Sequence, residues 1–551
     1  MKSILLVPLV ISLALLKAPP KSEDRVSFSS LPASVDLYDF VEIVIKIQNV
    51  PVRNPFTDAT VTGTFIRDGG TVAVDGFCDS QDGTIYRIRF MPVSVGKHSY
   101  TIKYQDGGGS ATSSGMFEAR PAGRRGMVRI DKSYPFHFVW EGTGEHYFWN
   151  STTTYSLAGW DEETIRKSLD RLHGLKVNRV RVALMGARVK DAQAWYENVY
   201  PTKQFTFLLN PWIAQRPNSV EDPGFDVGRF NVEYWQKYER LLRYARDKDI
   251  VVSVIFFVDG RRPGVDPFGK AMGGSEEQHY YRYAAARLSA FSNVMWDVTN
   301  EYRLFRDDAW AEKMGTLLKE CDPYDHLTSI HGHGDFRFRK SPWADFAMYQ
   351  MWDEAGGYQF MANNRSIQEL LGRKMPQVNE EYGYEDHYPQ AWGGGRKAPA
   401  RSADTRRRLA WEMTMAGCYQ TTGERADTGT GWGPDTGGGW VNGRGDDSMT
   451  MLKGYAHLVE FFTQFEWWKT EPHNELVPAG RYCLAEPGRQ YAVYLRSGGN
   501  VTLKLQPGRY QASWFNPRTG QSISLPVAEG PGLVSPTAPD KEDWALLLRK
   551  Q

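Results

Sequence analysis

The 551-residue sequence contains little cysteine and no closely spaced cysteine pair. Its four cysteines, at positions 78, 321, 418 and 483, are scattered and form no Cys-x-x-Cys motif. This spacing excludes a disulfide-rich scaffold and gives no zinc-binding pattern. We expect mostly buried free thiols, and a Cys321–Cys418 disulfide is the alternative that the spacing leaves open.

An excess of charge of one sign is also absent. Lysine and arginine total 66, aspartate and glutamate total 65, and the formal net charge is +1. A balanced chain has no electrostatic reason to bind a polyanion. We therefore predict no nucleic-acid partner, although the overall balance does not exclude a local basic patch. The sequence indicates no particular oligomeric state.

Hydrophobic runs long enough to span a bilayer are missing as well. The longest mostly apolar run extends over the 13 residues from Ile4 to Leu16, whereas a spanning helix needs ~20 residues. A lysine at position 2 before such a short run is typical of a signal peptide. We predict a signal peptide over residues 1–22, a secreted or periplasmic protein, and no membrane insertion after processing. A buried amino-terminal strand is the alternative.

Aromatic residues, by contrast, are abundant. They form 13% of the chain and include 18 tryptophans. Many of these rings must fill hydrophobic cores, but the number exceeds what packing requires. Since aromatic rings also pack against flat ligands, we expect some tryptophans to lie at a binding surface.

Two β-rich segments flank the centre of the chain. Residues 23–122 contain short alternating strands, such as 41–50 with Ile43, Ile45 and Ile47 on one face, separated by glycine-rich turns. Short strands at this spacing predict an immunoglobulin-like β-sandwich. Residues 476–551 return to short strands and turns, and we predict a small carboxy-terminal β-sandwich there.

Residues 126–472 alternate between strands and amphipathic helices. Eight strand–helix repeats can be counted, including a helix over 232–248, a fourth strand over 294–299 and a seventh over 376–379. Eight such repeats in about 340 residues predict a central (β/α)8 TIM barrel with loop insertions. The fifth repeat is the weakest, because no helix is visible after its strand.

Two barrel strands end in carboxylates. Asn300 and Glu301 follow the fourth strand, and Glu380 and Glu381 end the seventh. Active sites of TIM barrels lie at the carboxyl ends of the strands, and these two strands lie on opposite sides of the barrel mouth. Glycosidic cleavage needs one acid and one facing carboxylate. We predict that Glu301 is the general acid and Asn300 binds a sugar hydroxyl; solvated loop charges are the alternative.

Three stretches carry a family resemblance: 147–153 (YFWNSTT), 296–301 (WDVTNE) and 379–385 (NEEYGYE). They resemble the apiosidase-like barrel family of clan A glycoside hydrolases, whose members carry an immunoglobulin-like module and a carboxy-terminal module described as collagen-binding. The resemblance implies a retaining hydrolase that cleaves O-glycosidic bonds in a plant, algal or microbial polysaccharide or oligosaccharide. A non-catalytic carbohydrate-binding protein on the same scaffold is the alternative.

The sequence departs from this family at both predicted catalytic strands. Glu301 stands where the family tends to have aspartate, which weakens an inference of apiose specificity. On strand seven the family pattern is Asn-Gly-Glu-Pro, whereas this chain has Glu380 in place of glycine and Tyr382 in place of proline. The alignment favours Glu381 as the nucleophile. Side-chain alternation along a strand also lets only one of the two glutamates face the cleft.

Further substrate-binding residues are predicted at strand ends and loops: Trp149, Asn150, Asp259, His331, His333, Tyr349, Trp352, Glu424 and Trp432. Tyr349 is expected to hydrogen-bond the nucleophile and Trp352 to stack on a sugar, with core packing as the alternative for both. His331 and His333 are expected to contact sugar hydroxyls; structural hydrogen bonding or a metal are alternatives, and we predict neither a metal nor a cofactor. Arg181 either braces a carboxylate or packs inside the barrel. Loop tryptophans are expected to face the sugar: Trp195, Trp212, Trp392, Trp432 and Trp440.

Overall fold

A computed structural model describes residues 25–186, 208–262, 264–352, 356–385, 402–424, 443, 445 and 450–551. The chain forms the predicted amino-terminal β-sandwich and central barrel, and its carboxy-terminal module is β-rich but consists of one sheet where a small β-sandwich was predicted. Across these described ranges, no helix has the length and apolar character needed to cross a membrane.

The amino-terminal module consists of two facing sheets. Its nine strands are Val26–Phe28, Ser34–Asp36, Val41–Ile47, Thr60–Arg67, Gly70–Asp75, Phe77–Cys78, Ile85–Phe90, Gly96–Asp106 and Gly109–Arg120. Ile43, Ile45 and Ile47 are buried while Lys46 is exposed, so the predicted alternation is confirmed. Four strands form one sheet and five form the other, which buries the apolar faces between them.

The barrel follows a small antiparallel sheet of Val128–Ile130, Phe138–Trp140 and His146–Tyr147. Its eight parallel strands, called the first to the eighth below, are Ser151–Thr153, Arg179–Ala183, Val251–Ile255, Val294–Asp297, Thr328–Ser329, Ala347–Gln350, Gln377–Glu381 and Tyr419–Thr422. The helices around them, α1 to α7, are Glu162–Gly174, Val232–Arg246, Ser275–Leu288, Asp308–Cys321, Tyr358–Leu370, Ala403–Met415 and Met451–Phe462. A hairpin of Trp212–Ala214 and Phe225–Phe230 lies in the insertion after the second strand.

Strand pairing closes the barrel except between the fifth and sixth strands. These two strands are the ends of the eight-stranded order and do not pair with each other as a continuous ladder. Single backbone hydrogen bonds still join them, from Asp345 to the Thr328 carbonyl (2.9 Å) and from Gln350 to the His333 carbonyl (3.1 Å). The fully described segment 330–346 contains no helix, so the expectation that the fifth repeat lacks a clear helix is confirmed.

Aromatic side chains close the barrel at the amino ends of its strands. Trp149 stacks on Phe138 with ring centroids 5.1 Å apart, and Phe346 and Tyr419 pack against the same pair. The indole nitrogen of Trp149 donates to the Thr421 hydroxyl over 3.1 Å. Because this end is filled, only the carboxyl ends of the strands can receive a substrate.

The carboxy-terminal module is one six-stranded antiparallel sheet. Its strands are Glu471–Pro472, Tyr482–Glu486, Gln490–Leu495, Leu503–Phe515, Ser522–Val534 and Trp544–Lys550. One face packs on the barrel, where Trp411 of α6 stacks on Tyr494 (5.3 Å). Arg407 of the same helix forms an ion pair with Asp543 (2.8 Å). The other face has its own core around Trp514.

A buried ionic cluster joins the amino-terminal sandwich to the barrel. We call Asp79, Arg89, Glu239 and Arg287 the interface cluster. Arg89 binds both oxygens of Glu239 (2.8 and 2.9 Å), and Arg287 binds Glu239 and Asp79 (2.5 Å each). The two arginines thus enclose one glutamate and join the modules.

All four cysteines are free thiols, so the predicted absence of a disulfide framework is confirmed.

Candidate active site

The fourth barrel strand ends in a strained turn. Glu301 has φ 47° and ψ 46°, in the left-handed region, and its side chain is almost fully buried. A non-glycine residue in this region costs about 1 kcal/mol or more, and such strain is concentrated at functional sites. The strained residue, four positions after the end of the strand at Asp297, is thus the one predicted to be the general acid.

The seventh strand contains a β-bulge at its two glutamates. Tyr349 of the sixth strand is opposite Asn379, but the next residue, Gln350, is opposite Glu381, so Glu380 is the extra residue. A bulge breaks the alternation of side chains. The regular alternation assumed for this strand is therefore absent: both glutamates point into the barrel, at different depths, as their contacts show.

Glu381 lies in the upper part of the barrel beside tyrosine hydroxyls. The hydroxyl of Tyr155 lies 3.2 Å from its Oε2, and Tyr384 also hydrogen-bonds this carboxylate. The Nε2 atom of His331 is 3.9 Å from the same oxygen. Tyr349, predicted for this role, instead points to the outer side of the strand and donates to Gln377 over 2.6 Å.

The amide of Asn300 has a fixed orientation. Its Oδ1 lies close to three donors: Nη2 of Arg181 (2.9 Å), the hydroxyl of Tyr155 (3.3 Å) and Nδ1 of His331. An arginine can only donate, so this atom is the oxygen and the other is the NH2 group. The NH2 group is therefore the part of Asn300 that remains to bind a ligand.

The two carboxylates share an electrostatic environment. Burial raises the pKa of Glu301, and burial together with the nearby charge of Glu301 raises the pKa of Glu381. Arg181 and the tyrosine hydroxyls oppose the rise at Glu381. Two close buried carboxylates do not both ionise easily, so the pair retains a proton more strongly than isolated glutamates. Burial holds the pKa of His331 well below its usual value, so its imidazole is neutral.

Gln350 connects the two sides of the barrel mouth. Its side chain lies beside Glu301, whose pKa it lowers, and beside His333, whose pKa it raises, while its backbone pairs with Glu381. Trp352 lies two residues further on, half-buried, with its ring edge-on to Tyr384 (5.6 Å). The predicted residues His331, His333, Trp352 and Asn300 thus lie around the two carboxylates.

A second group of charges fills the barrel below these residues. We call Arg179, Arg181, Asp297 and Glu380 the barrel cluster; all four are fully buried. Glu380 Oε1 accepts from Arg179 Nη1 (2.5 Å) and lies 3.0 Å from Arg181 Nε. Arg181 Nη2 reaches Asp297 (3.1 Å). Arg181 therefore braces carboxylates and also fills the interior, so both interpretations of it hold.

The structure corrects four other predicted sugar contacts. Trp149 lies in the aromatic floor, and Asn150 beside it donates to the backbone carbonyl of Lys176 (2.8 Å), both at the closed end of the barrel. Both Glu424 oxygens are bound by Arg171 of α1 (2.7 and 2.9 Å). Trp212 is completely buried against core aromatics. Each side chain is thus occupied by structural contacts.

Other predictions stay untested. Asp259 lies at the carboxyl side of the third strand in a left-handed conformation, φ 56°. Trp195, Trp392, Trp432 and Trp440 lie outside the described residues. Among those that are described, no three histidine, cysteine, aspartate or glutamate side chains are placed to hold a metal ion.

Three residues of the site are absent from the sequence predictions. Tyr155 lies just beyond the first strand, Tyr384 three residues after Glu381, and Gln350 at the end of the sixth strand. Position at a strand end was the available signal for each. Their chemistry was no guide, because tyrosine and glutamine are common in barrel cores and loops.

The fold is similar to that of solved structures described as glycoside hydrolases. A "putative glycoside hydrolase" from Bacteroides vulgatus is similar in structure, with a TM-score of 0.77, 21% identity, and coverage of 94% of this chain and 100% of that one. A family 5 glycoside hydrolase from the same organism has a TM-score of 0.62 and 14% identity over 77% of this chain and 94% of the other. At these identities the similarity establishes the fold alone.

The family follows from the sequence model of the barrel. Residues 141–425, more than half of the chain, match the apiosidase-like catalytic domain, and the chain belongs to this family. Residues 34–105 match a domain of unknown function, and residues 473–549 match the "putative collagen-binding domain of a collagenase". No curated protein matches the sequence. The family and the fold together support a glycosidase that acts on carbohydrate.

Proposed function

We propose that this protein is a retaining glycoside hydrolase in which Glu301 is the acid/base and Glu381 the nucleophile. The observation that carries the proposal is the pair of buried carboxylates, one from the end of the fourth strand and one from the seventh: burial raises the pKa of both, and the charge of Glu301 raises that of Glu381 further. This is the residue pair that double displacement at an anomeric carbon requires.

The surroundings favour one distribution of the shared proton. Glu381 accepts from Tyr155 and Tyr384 and lies in the field of Arg181, all of which stabilise a carboxylate. Glu301 is buried beside the amide of Gln350, and the charges of Arg261 and Arg181 also oppose the rise of its pKa. Because two tyrosine hydroxyls donate to Glu381, we infer that the shared proton resides on Glu301 when substrate is bound, where it can be given to the leaving oxygen.

The reaction then proceeds in two displacements. The Glu381 carboxylate attacks the anomeric carbon while Glu301 protonates the departing oxygen, and a glycosyl ester on Glu381 forms. Glu301, now ionised, takes a proton from water, whose oxygen attacks the anomeric carbon and releases Glu381. The NH2 group of Asn300 binds a sugar hydroxyl beside that carbon, and this bond strengthens in the transition state.

The two catalytic roles can be tested with Glu301→Gln and Glu381→Gln against a matched control. Each of these two variants should lower kcat by about 1,000-fold or more on polysaccharides and aryl glycosides while circular dichroism shows a folded protein. Glu424→Gln, which changes a buried glutamate held by Arg171 at another strand end, should retain activity per folded molecule. Near-normal turnover in Glu301→Gln or Glu381→Gln would reject the assigned role.

The stereochemistry of the product tests the retaining mechanism directly. Proton NMR of the first product released should show the anomeric configuration of the substrate, and inversion would overturn the double displacement. Glu381→Ala with azide should give a glycosyl azide, because azide can occupy the space of the missing carboxylate. Binding without cleavage across a broad glycan panel would instead favour a carbohydrate-binding protein.

We also propose that the protein is exported. The support is the short apolar run from Ile4 to Leu16 after a single lysine. Expression of the full chain followed by cell fractionation should place the mature protein outside the cytoplasm. Sequencing of its new amino terminus should find cleavage near residue 22, and an uncleaved cytoplasmic protein would contradict export.

A further inference from the structure

We propose that Glu380, the extra glutamate of the bulge, is a positioning residue that holds Arg181 under the catalytic residues and sets the charge balance of the site. The proposal rests on the proposed function, because its readout is glycosidase activity. It concerns the position at which this chain has glutamate where the family pattern has glycine.

A continuous set of contacts leads from Glu380 to the reacting groups. Glu380 binds Arg181 at Nε (3.0 Å). The two Nη atoms of Arg181 then contact Asn300 Oδ1 (2.9 Å) and the Tyr155 hydroxyl (3.3 Å). Tyr155 in turn lies 3.2 Å from Glu381. The Tyr155 hydroxyl has one hydrogen, which Glu381 Oε2 (3.2 Å) and Asn300 Oδ1 (3.3 Å) can each accept. Since Asn300 Oδ1 already accepts from Arg181, we assign that hydrogen to Glu381.

Arg179 holds Glu380 from the opposite side. Its Nη1 lies 2.5 Å from Glu380 and its Nη2 donates to the Ser253 hydroxyl (2.8 Å). Its guanidinium lies over the ring of Trp149 at 4.1 Å. Trp149, expected from the sequence to bind sugar, therefore supports the arginine that fixes Glu380.

Buried charges need counter-charges, and in the barrel cluster the two arginines face two carboxylates, Glu380 and Asp297. Burial and the charge of Glu380 raise the pKa of Asp297 to about 6. If Glu380 were neutral, Asp297 alone would face the two arginines, and the cluster would carry a net positive charge next to the catalytic pair. An unbalanced cation favours ionised carboxylates and lowers their pKa values.

The titratable and charged groups that face this layer come from most strands of the barrel. They are Tyr147 before the first strand, Tyr155 after it, Arg179 and Arg181 on the second, Arg261 after the third, Asp297 and Glu301 at the fourth, His331 and His333 after the fifth, and Glu381 and Tyr384 at the seventh. Burial lowers the pKa values of both histidines, whereas it raises those of Asp297, Glu301 and Glu381 toward neutral pH. A shift in the pH profile therefore reports on the carboxylates.

The test compares Glu380→Gln, Arg179→Met and the double variant. Glu380→Gln removes negative charge, so both limbs of the kcat/KM profile should move to lower pH by roughly half to one unit, with kcat reduced about 10- to 100-fold. Arg179→Met removes positive charge and should move both limbs to higher pH. The double variant restores the charge balance and should return the limbs toward their original positions.

The matched control is Glu239→Gln in the interface cluster, another buried glutamate between two arginines. It should lower the melting temperature without moving either limb. Opposite shifts that cancel in the double variant support the proposal. Limbs that stay fixed in all three barrel variants, or a double variant that only adds further losses, would overturn it and leave Glu380 a structural residue.

Failure of this proposal is distinguishable from failure of the proposed function. If Glu301→Gln and Glu381→Gln abolish activity but the Glu380→Gln profile is unchanged, only the role of Glu380 is rejected. If Glu380→Gln does not fold, Arg179→Met still tests the balance, because Met keeps the apolar contact with Trp149. An unshifted profile in that folded variant would reject the proposal.

Discussion

The interface cluster and the barrel cluster have the same chemistry in two places. In each, one buried glutamate lies between two arginines with an aspartate nearby: Glu239 with Arg89 and Arg287 in the first, and Glu380 with Arg179 and Arg181 in the second. One cluster joins two modules, and the other lies beneath the candidate active site. Burial and ion pairing alone therefore do not identify a functional site.

The difference lies in what the arginines contact next. In the interface cluster, Arg89 also donates to the backbone carbonyl of residue 287 (2.8 Å). In the barrel cluster, Arg181 contacts the Asn300 amide, whose NH2 group remains for a ligand. Such a cluster can therefore contribute to catalysis when its contacts lead to side chains that still have a hydrogen-bond donor or acceptor for a ligand.

After substitution of the two catalytic glutamates themselves, the largest expected effect separates the mouth of the barrel from its closed end. Asn300→Ala should lower kcat/KM by about 100-fold or more, because a hydroxyl contact that strengthens in the transition state is lost and Arg181 loses an acceptor. Steady-state kinetics on the best substrate of the panel would measure this loss.

Asn150→Ala is the matched control for that experiment. Asn150 is equally buried but donates to a backbone carbonyl at the closed end. Its variant should unfold at a lower temperature and keep kcat/KM per folded molecule. Equal kinetic losses in both variants would mean that Asn300, too, acts through the fold.

The next effect is on stability and concerns the interface cluster. Glu239→Gln leaves Arg89 and Arg287 without their shared counter-charge, and breaking a buried pair costs about 3–5 kcal/mol. Differential scanning calorimetry should show a lower melting temperature, while kcat/KM of the folded enzyme stays unchanged. A large kinetic loss in this variant would show that the module interface is coupled to the site.

Much of the fold could be predicted because the patterns are regular. Helix α2 was predicted at 232–248 and observed at Val232–Arg246, since the spacing of apolar residues reports its buried face. The sequence predicts a fifth strand over the five residues 327–331, but the strand has only two, Thr328–Ser329. Pairing of strands distant in sequence decides such a boundary, and this pairing leaves no local pattern.

The site was predictable where position on a strand was enough. Asn300 and Glu301 follow directly from the end of the fourth strand. That both Glu380 and Glu381 point into the barrel could not be predicted, because a bulge breaks the side-chain alternation on which the prediction depended. Tyr155 was missed since only the folded barrel brings the end of the first strand to the seventh.

The smallest expected effect concerns Gln350, which donates to Glu301 and so favours its ionised form. Gln350→Leu removes that donor, so the pKa of Glu301 should rise and the general acid should keep its proton to higher pH. The basic limb of the kcat/KM profile should therefore move to higher pH, with about a 10-fold loss of activity from a less well-oriented acid.

Gln377→Leu is the matched control: Gln377 is a buried glutamine on the outer side of the seventh strand that accepts from Tyr349. It should lower stability without moving the limb. A basic limb that moves to lower pH in Gln350→Leu would contradict this role, because loss of the donor cannot make Glu301 more acidic.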